Sequence, residues 1–152
     1  MYVIAMFALL GWVTIVSADF FSTQSQKEDE TISQSIAENM LIYKQSAISY
    51  YIANPSASGV IQDSSLSTYL PTGYKKNYNW VANINAGYIY VYTTDIAATT
   101  KPLITEILAQ NSSDSMFAGK NQNGILFSST RGNTGISLPT FVPNGSPVLM
   151  GQ

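Results

Sequence analysis

The side chains able to carry chemistry are few, and their spacing keeps them apart. Histidine and cysteine are both absent from the 152 residues. That removes thiol nucleophiles, Cys/His zinc sites, disulfides and the imidazole on which most acid–base catalysis relies. A serine triad is excluded with the histidine, and no serine stands in a G-x-S-x-G turn. Nine carboxylates remain. Asp19, Glu28, Asp29, Glu30 and Glu38 lie near the N-terminus, while Asp63, Asp95, Glu106 and Asp114 fall in separate later segments. A glycosidase needs two carboxyls converging across a cleft, and nothing in this spacing demands convergence. No D-x-D-x-D loop is present for calcium. Gly119-Lys120 is not the end of a phosphate loop, because Asn121 follows it and no glycine stands five residues earlier. The residues therefore predict a protein that is not an enzyme, with no cofactor, no metal and no small-molecule substrate.

Charged residues make up 11% of the chain, against about 25% in an average protein. Ser, Thr, Asn, Gln and Tyr supply the polarity instead, a balance suited to a secreted or envelope-facing surface. A net charge of -2 makes the chain no electrostatic partner for nucleic acid. Lys75-Lys76, the only basic pair, reads as a solvated turn. Asn111-Ser112-Ser113 and Asn144-Gly145-Ser146 match a glycosylation sequon, which matters only in a eukaryotic secretory pathway. Tyr88, Tyr90 and Tyr92 fall on one face of a strand whose other face carries Ile89 and Val91. They read either as an aromatic platform for a partner or as rings covering a sheet with their hydroxyls at the rim.

The elements that position these residues begin with an apolar run. Met1–Ala18, MYVIAMFALLGWVTIVSA, has no charged side chain. As a helix it is about 27 Å long, near the roughly 30 Å hydrocarbon core of a bilayer. The expectation is a membrane anchor carried by Tyr2, Val3, Ile4, Phe7, Leu9, Leu10, Trp12, Ile15 and Val16. Residues 19–152 then form one exported, periplasmic domain of a single-pass inner-membrane protein. Two readings compete: a signal peptide cleaved after Ala18, where Val16-Ser17-Ala18 offers small residues, and a buried core helix. No basic residue precedes the run, which weakens the signal-peptide reading.

From Ser22 to Ala53 there is no Gly or Pro, and Ile32, Ile36, Met40, Tyr43, Ala47 and Tyr50 recur at helical spacing. This predicts a long amphipathic helix over 22–53, ended by Asn54-Pro55. Trp80–Asn85 and Tyr88–Thr93 around Ala86-Gly87 predict a β-hairpin. Thr99 and Thr100 can cap a second helix that starts at Pro102 and buries Leu103, Ile104, Ile107 and Leu108. Short strands are expected at 115–118 and 125–129, with a turn through 119–124, and the tail from Leu138 reads as irregular because of Pro139, Pro143 and Pro147. The predicted class is α+β: an N-terminal apolar (transmembrane) helix leads into the long helix, packed on a small antiparallel sheet with a second helix.

That layout is pilin-like, although the prepilin leader and the glutamate at the fifth apolar position are missing; Ala5 stands there. With the stretches Asn39–Pro55 (NMLIYKQSAISYYIANP), Tyr69–Tyr74 (YLPTGY) and Tyr88–Thr93 (YIYVYT), the chain more closely resembles the PilM family of thin-pilus (type IVB) systems carried by conjugative plasmids. This family is distinct from the actin-like cytoplasmic protein of the same name. The resemblance implies an inner-membrane component of the pilus assembly apparatus or basal body, with other pilus assembly proteins as partners and no catalytic residues. The rival readings are a pilin-like subunit of the fibre and a secreted surface- or glycan-binding module released at Ala18.

Overall fold

The computed structural model describes residues 2–95, 102–111 and 115–152, with side chains from residue 27 onward except those of Pro102 and Ser115. Helix α1 runs Tyr2–Ala53 without interruption. It stops where expected: the Asn54 backbone N–H and side-chain amide both donate to the Tyr50 carbonyl at 2.9 Å, and Pro55 cannot continue the ladder. The chain divides into two compact units, Met1–Ile32 and Ser33–Gln152.

The expected transmembrane helix needs correction. Residues 1–18 are part of α1, which carries on through Lys27–Glu30 to Ala53. Among the described residues no helix is long and apolar enough to cross a membrane. The single-pass inner-membrane placement with a periplasmic bulk is overturned with it. The side chains of the anchor residues Tyr2 to Val16 lie outside the described ones.

The sheet is also larger than expected. Seven antiparallel strands stand in the order β1-β2-β3-β7-β4-β5-β6. They are β1 (Gly59–Ile61), β2 (Trp80–Asn85), β3 (Tyr88–Thr93), β4 (Ala118–Gln122), β5 (Ile125–Ser128), β6 (Gly132–Ser137) and β7 (Pro147–Gly151). A single-turn helix α2 (Asp63–Leu66) and helix α3 (Pro102–Asn111) complete the elements with a short 3-10 turn, Ser115–Phe117. The β2–β3 hairpin lies on the expected residues, paired in full from Trp80↔Thr93 to Asn85↔Tyr88. Its turn places Ala86 and Gly87 at φ 51° and 81°, the left-handed pair that matches strand twist. The second hairpin is tighter than expected: residues 119–122 are strand, and Asn123-Gly124 alone makes the turn, at φ 54° and 84°. Gly119 has no room for a side chain, since a Cβ there would lie 2.3 Å from the Phe127 carbonyl oxygen.

Strand β7 was hidden in the proline-rich tail. Pro147 is its first residue, a position where a missing N–H is tolerated. Val148, Leu149 and Met150 then run through the sheet centre, buried on both faces. A fully buried strand shows no alternation, so its three apolar residues carry no periodic signal. Strands β1 and β6 escaped for other reasons: β1 has three residues, and β6 reads GNTGIS.

Within the Ser33–Gln152 unit the two faces of the sheet are closed differently. On one, α1 buries Ile36, Ala37, Met40, Tyr43 and Ala47 against Trp80, Ala82, Ile84, Ile89, Val91 and Leu149, with Ile104 and Leu108 of α3 in the same cluster. Ile32, assigned to that stripe from its spacing, is exposed. On the other face Tyr90, Tyr92, Leu126, Val148 and Met150 pack under Leu138 and Val142, which belong to an irregular segment. Each fully buried Leu, Ile or Val contributes about 1.5–3 kcal/mol through removal from water.

Candidate functional site

Chemistry-bearing side chains meet at one place in the described residues, where the irregular segment 67–79 lies along α1. Asn39 is its hub. Its Oδ1 accepts from Trp80 Nε1 at 2.8 Å, the Tyr74 hydroxyl at 2.9 Å and the Asn77 backbone N–H at 3.2 Å, while its Nδ2 donates to the Lys75 carbonyl at 2.8 Å. One turn on, Tyr43 donates to Asp63 Oδ1 at 2.8 Å. Lys76 Nζ donates to Asp63 Oδ2 and, at 3.1 Å, to the Trp80 carbonyl, and stands 5.2 Å from the centre of the Tyr43 ring. Further along, the Ser46 hydroxyl donates to the Tyr69 carbonyl and Tyr50 meets Tyr69 edge to face at 5.8 Å. Two of the three stretches that carry the resemblance, 39–55 and 69–74, are thus packed on each other.

The electrostatics fix the protons in this cluster. Burial, the hydrogen bond to Asp63 and the carboxylate charge push the Tyr43 hydroxyl far above the ordinary tyrosine range. Burial and the Asp63 charge do the same to Tyr74. For Asp63, burial works to raise its pKa, and the hydrogen bonds from Lys76 and Tyr43 together with the Lys76 charge outweigh it and hold the carboxyl below its usual value. Asp63 is 59% exposed, so its ion pair with Lys76 is a surface pair. A general base works best with a pKa near the operating pH, and Asp63 is shifted the other way. The Lys76 ammonium faces a carboxylate, a carbonyl and an aromatic ring. The cavity beside these groups, about 130 Å³, is lined by Tyr43, Asp63, Lys76, Trp80 and their strand neighbours Val60 and Val81. What this arrangement does chemically is fasten segment 67–79 to α1.

The tyrosines of β3 are brought together but not presented. Tyr90 and Tyr92 are 6% and 5% exposed and each lies 5.9 Å from the Phe141 ring, so the segment after Leu138 covers them. Tyr88 is half-buried. The platform reading is corrected for Tyr90 and Tyr92, because sequence spacing cannot show what lies over a strand. The carboxylates stay dispersed: Glu106 is on α3, Asp95 follows β3, and Asp114 lies outside the described residues. Thr99 and Thr100, expected to cap α3, also lie outside them. Among the described residues no group of three or more potential ligands could hold a metal ion.

A second polar hub, Asn121 on β4, holds the other irregular segment. Buried to 3%, it donates Nδ2 to the Val142 carbonyl and accepts the Gly124 N–H at Oδ1, both at 2.8 Å. Ser146, fully buried, accepts the Thr93 N–H at 3.2 Å and donates to the Thr93 carbonyl at 2.7 Å. Neither hub was singled out from the sequence. For Asn39 the available signal is an asparagine beside the inward stripe of a helix, where its type is disfavoured unless it is bonded. Asn121 carries none.

The sheet edges, where an added strand could pair, are blunted. Edge strand β1 is only three residues long, and Lys76 covers the Trp80 carbonyl where β2 runs past it. Edge strand β6 is bulged: Ile125↔Ser137 and Phe127↔Asn133 set two steps of β5 against four of β6, and the Gly135 N–H bonds to the Asn133 side chain at 2.9 Å.

The fold and its clasps define a helix-backed antiparallel sheet domain whose polar clusters serve to hold irregular segments in place. The PilM family model matches residues 4–150, and the chain belongs to the PilM family. That makes it a pilus-related protein, involved in pilus assembly with other pilus proteins. The crystal structure of a PilM protein from Escherichia coli B7A matches at a TM-score of 0.55 with 22% identity, covering 80% of this chain and 92% of that one. At that identity the likeness shows the fold alone. A PilM structure from Pseudomonas aeruginosa 2192 matches with 27% identity over 78% of this chain and 95% of its own, at a TM-score of 0.45. No curated protein matches.

Proposed function

We propose that this chain is a component of the assembly apparatus or basal body of a thin (type IVB) pilus used in conjugation, and that it acts by contact with other pilus proteins rather than by catalysis. The family match over 4–150 carries this reading. The side-chain chemistry supports it: Tyr43, Asp63 and Lys76 are committed to one another and to the fold. The net charge of -2 supports a partner other than nucleic acid. Deleting the gene in a pilus-bearing strain is expected to abolish surface pili and transfer, with both restored by the wild-type chain. Crosslinking in the complemented strain is expected to capture other pilus proteins. Normal piliation in the deletion strain would overturn the reading.

A further inference from the structure

At the end of the sheet near the β4–β5 turn, Asn123-Gly124 and the segment after β6 enclose an open pocket of about 370 Å³. Ligand sites run from about 300 to 1,000 Å³, so this one has room for a single small moiety. No charged side chain lines it. An ionic ligand would lose part of its hydration there without gaining a counter-charge. The pocket's apolar lining comes from the half-buried Pro139 and Pro143, backed by the buried Leu138 and Val142.

The walls divide into polar groups that build the pocket and polar groups left over. Asn121 is spent on Val142 and Gly124. Asn144 Oδ1 accepts the Asn123 N–H at 2.9 Å, and the Leu138 N–H bonds to the Gly124 carbonyl at 2.7 Å. These bonds fix the shape before any ligand arrives, which lowers the ordering cost of binding. No hydrogen bond to another described residue uses the Asn123 side chain, the Thr140 hydroxyl or the Asn144 amide nitrogen. Together these exposed side chains offer both donors and acceptors beside the apolar Pro139 and Pro143.

We infer that this pocket binds one neutral sugar residue. Adjacent hydroxyls, each donor and acceptor, satisfy the amides and Thr140, while the C–H face of the ring covers Pro139 and Pro143. The inference is independent of the pilus role, and its failure leaves that reading untouched.

The test is amide chemical-shift mapping on the isotope-labelled full chain. The probes are glucose and N-acetylglucosamine, their charged counterparts glucuronate and glucosamine, and the N-acetylglucosamine tetrasaccharide. The control variant is Asn123→Gly with Thr140→Ala, which removes two free groups; glycine suits the φ of 54° at residue 123. A neutral sugar is expected to shift Gly124, Thr140 and Asn144, with binding at least about tenfold weaker in the variant, the equivalent of losing about one good hydrogen bond. Response to the monosaccharide identifies a free sugar as ligand, and tighter binding of the tetrasaccharide identifies a polymer; both support the site. The proposal falls if no neutral sugar shifts these amides, if the charged sugars bind equally well, or if the variant binds as the wild type does.

Discussion

One face of the sheet is closed by a helix and the other by an irregular chain, and the two are stabilised by different means. On the helix side, Ile36, Met40, Tyr43 and Ala47 recur at three- and four-residue steps and are buried with the strands beneath them. Apolar area does most of the holding there, and Asn39 adds a polar clasp at the margin, where half-exposure lets water share its bonds. On the other side, Leu138, Phe141 and Val142 cover Tyr90 and Tyr92 without any periodic element. Their placement depends on Asn121 and Ser146, both buried. A helix orders its own backbone and needs only a face to bury. An irregular cover must have its backbone groups satisfied one by one, and buried polar side chains do that.

The largest expected effect is on the helix side. Ile36→Asp or Leu108→Asp places an unpaired carboxylate at a site that is 3% or 0% exposed. The cost is several kcal/mol out of the roughly 5–15 kcal/mol that holds a domain together. Both variants are expected to fail to accumulate as folded protein, read by circular dichroism and cellular level. Phe141→Ala on the other face removes a half-buried ring and is expected to cost only about 1–2 kcal/mol, including its contacts with Tyr90 and Tyr92. If Phe141→Ala were the more damaging, the core on the helix face would not be the main source of stability.

The two asparagines sharpen the comparison further. Asn121→Ala leaves the Val142 carbonyl and the Gly124 N–H without partners in a buried site, and is expected to cost about 2–3 kcal/mol. Asn39→Ala breaks more bonds but at a half-exposed position, and about 1–2 kcal/mol is expected. Denaturant melts of the pair decide the order, and a larger loss for Asn39→Ala would contradict the division of labour.

Both faces contribute to an alkaline limit. Tyr43 and Tyr74 on the helix side, and Tyr90 and Tyr92 on the other, have pKa values raised chiefly by burial. A group that holds its proton more tightly when folded gives full stability below its unfolded pKa and loses it as pH rises. Stability is therefore expected to be level up to about pH 10 and then to fall, chiefly through Tyr43 and Tyr74, by up to about 1.4 kcal/mol per pH unit for each of these two, with Tyr90 and Tyr92 adding in the same direction. Urea midpoints against pH, with phenolate absorbance, check this. A midpoint unchanged well above pH 10 would show that the rings are not held in the buried positions described.

Legibility in the sequence follows the same division. The α1 stripe, its stop at Asn54-Pro55 and the β2–β3 hairpin were readable because each repeats a period or carries a turn pair. The membrane reading of residues 1–18 rested on apolarity and length alone, and among the described residues no helix is long and apolar enough to cross a membrane. Strand β7 was hidden by being buried on both faces beside prolines. The tyrosines of β3 were assigned to one face correctly, but their cover comes from residues about fifty positions away. The Asn39 cluster unites residues 39, 43, 63, 74, 76 and 80, a juxtaposition that no local pattern contains.

The central claim is that this chain works as a folded scaffold making contacts, with its polar cluster serving the fold. The most direct measurement is piliation scored together with protein level in strains carrying Asp63→Ala, Glu106→Ala or Ile36→Asp. The two carboxylate variants are expected to accumulate and to support pili, since Glu106→Ala removes an exposed charge and Asp63→Ala removes a solvent-exposed partner of Tyr43 and Lys76 at a cost of about 1–2 kcal/mol, while Ile36→Asp is expected to lose both protein and pili. If Asp63→Ala accumulated at the wild-type level yet abolished piliation, the carboxylate would have a role beyond the fold, and the scaffold account would be contradicted.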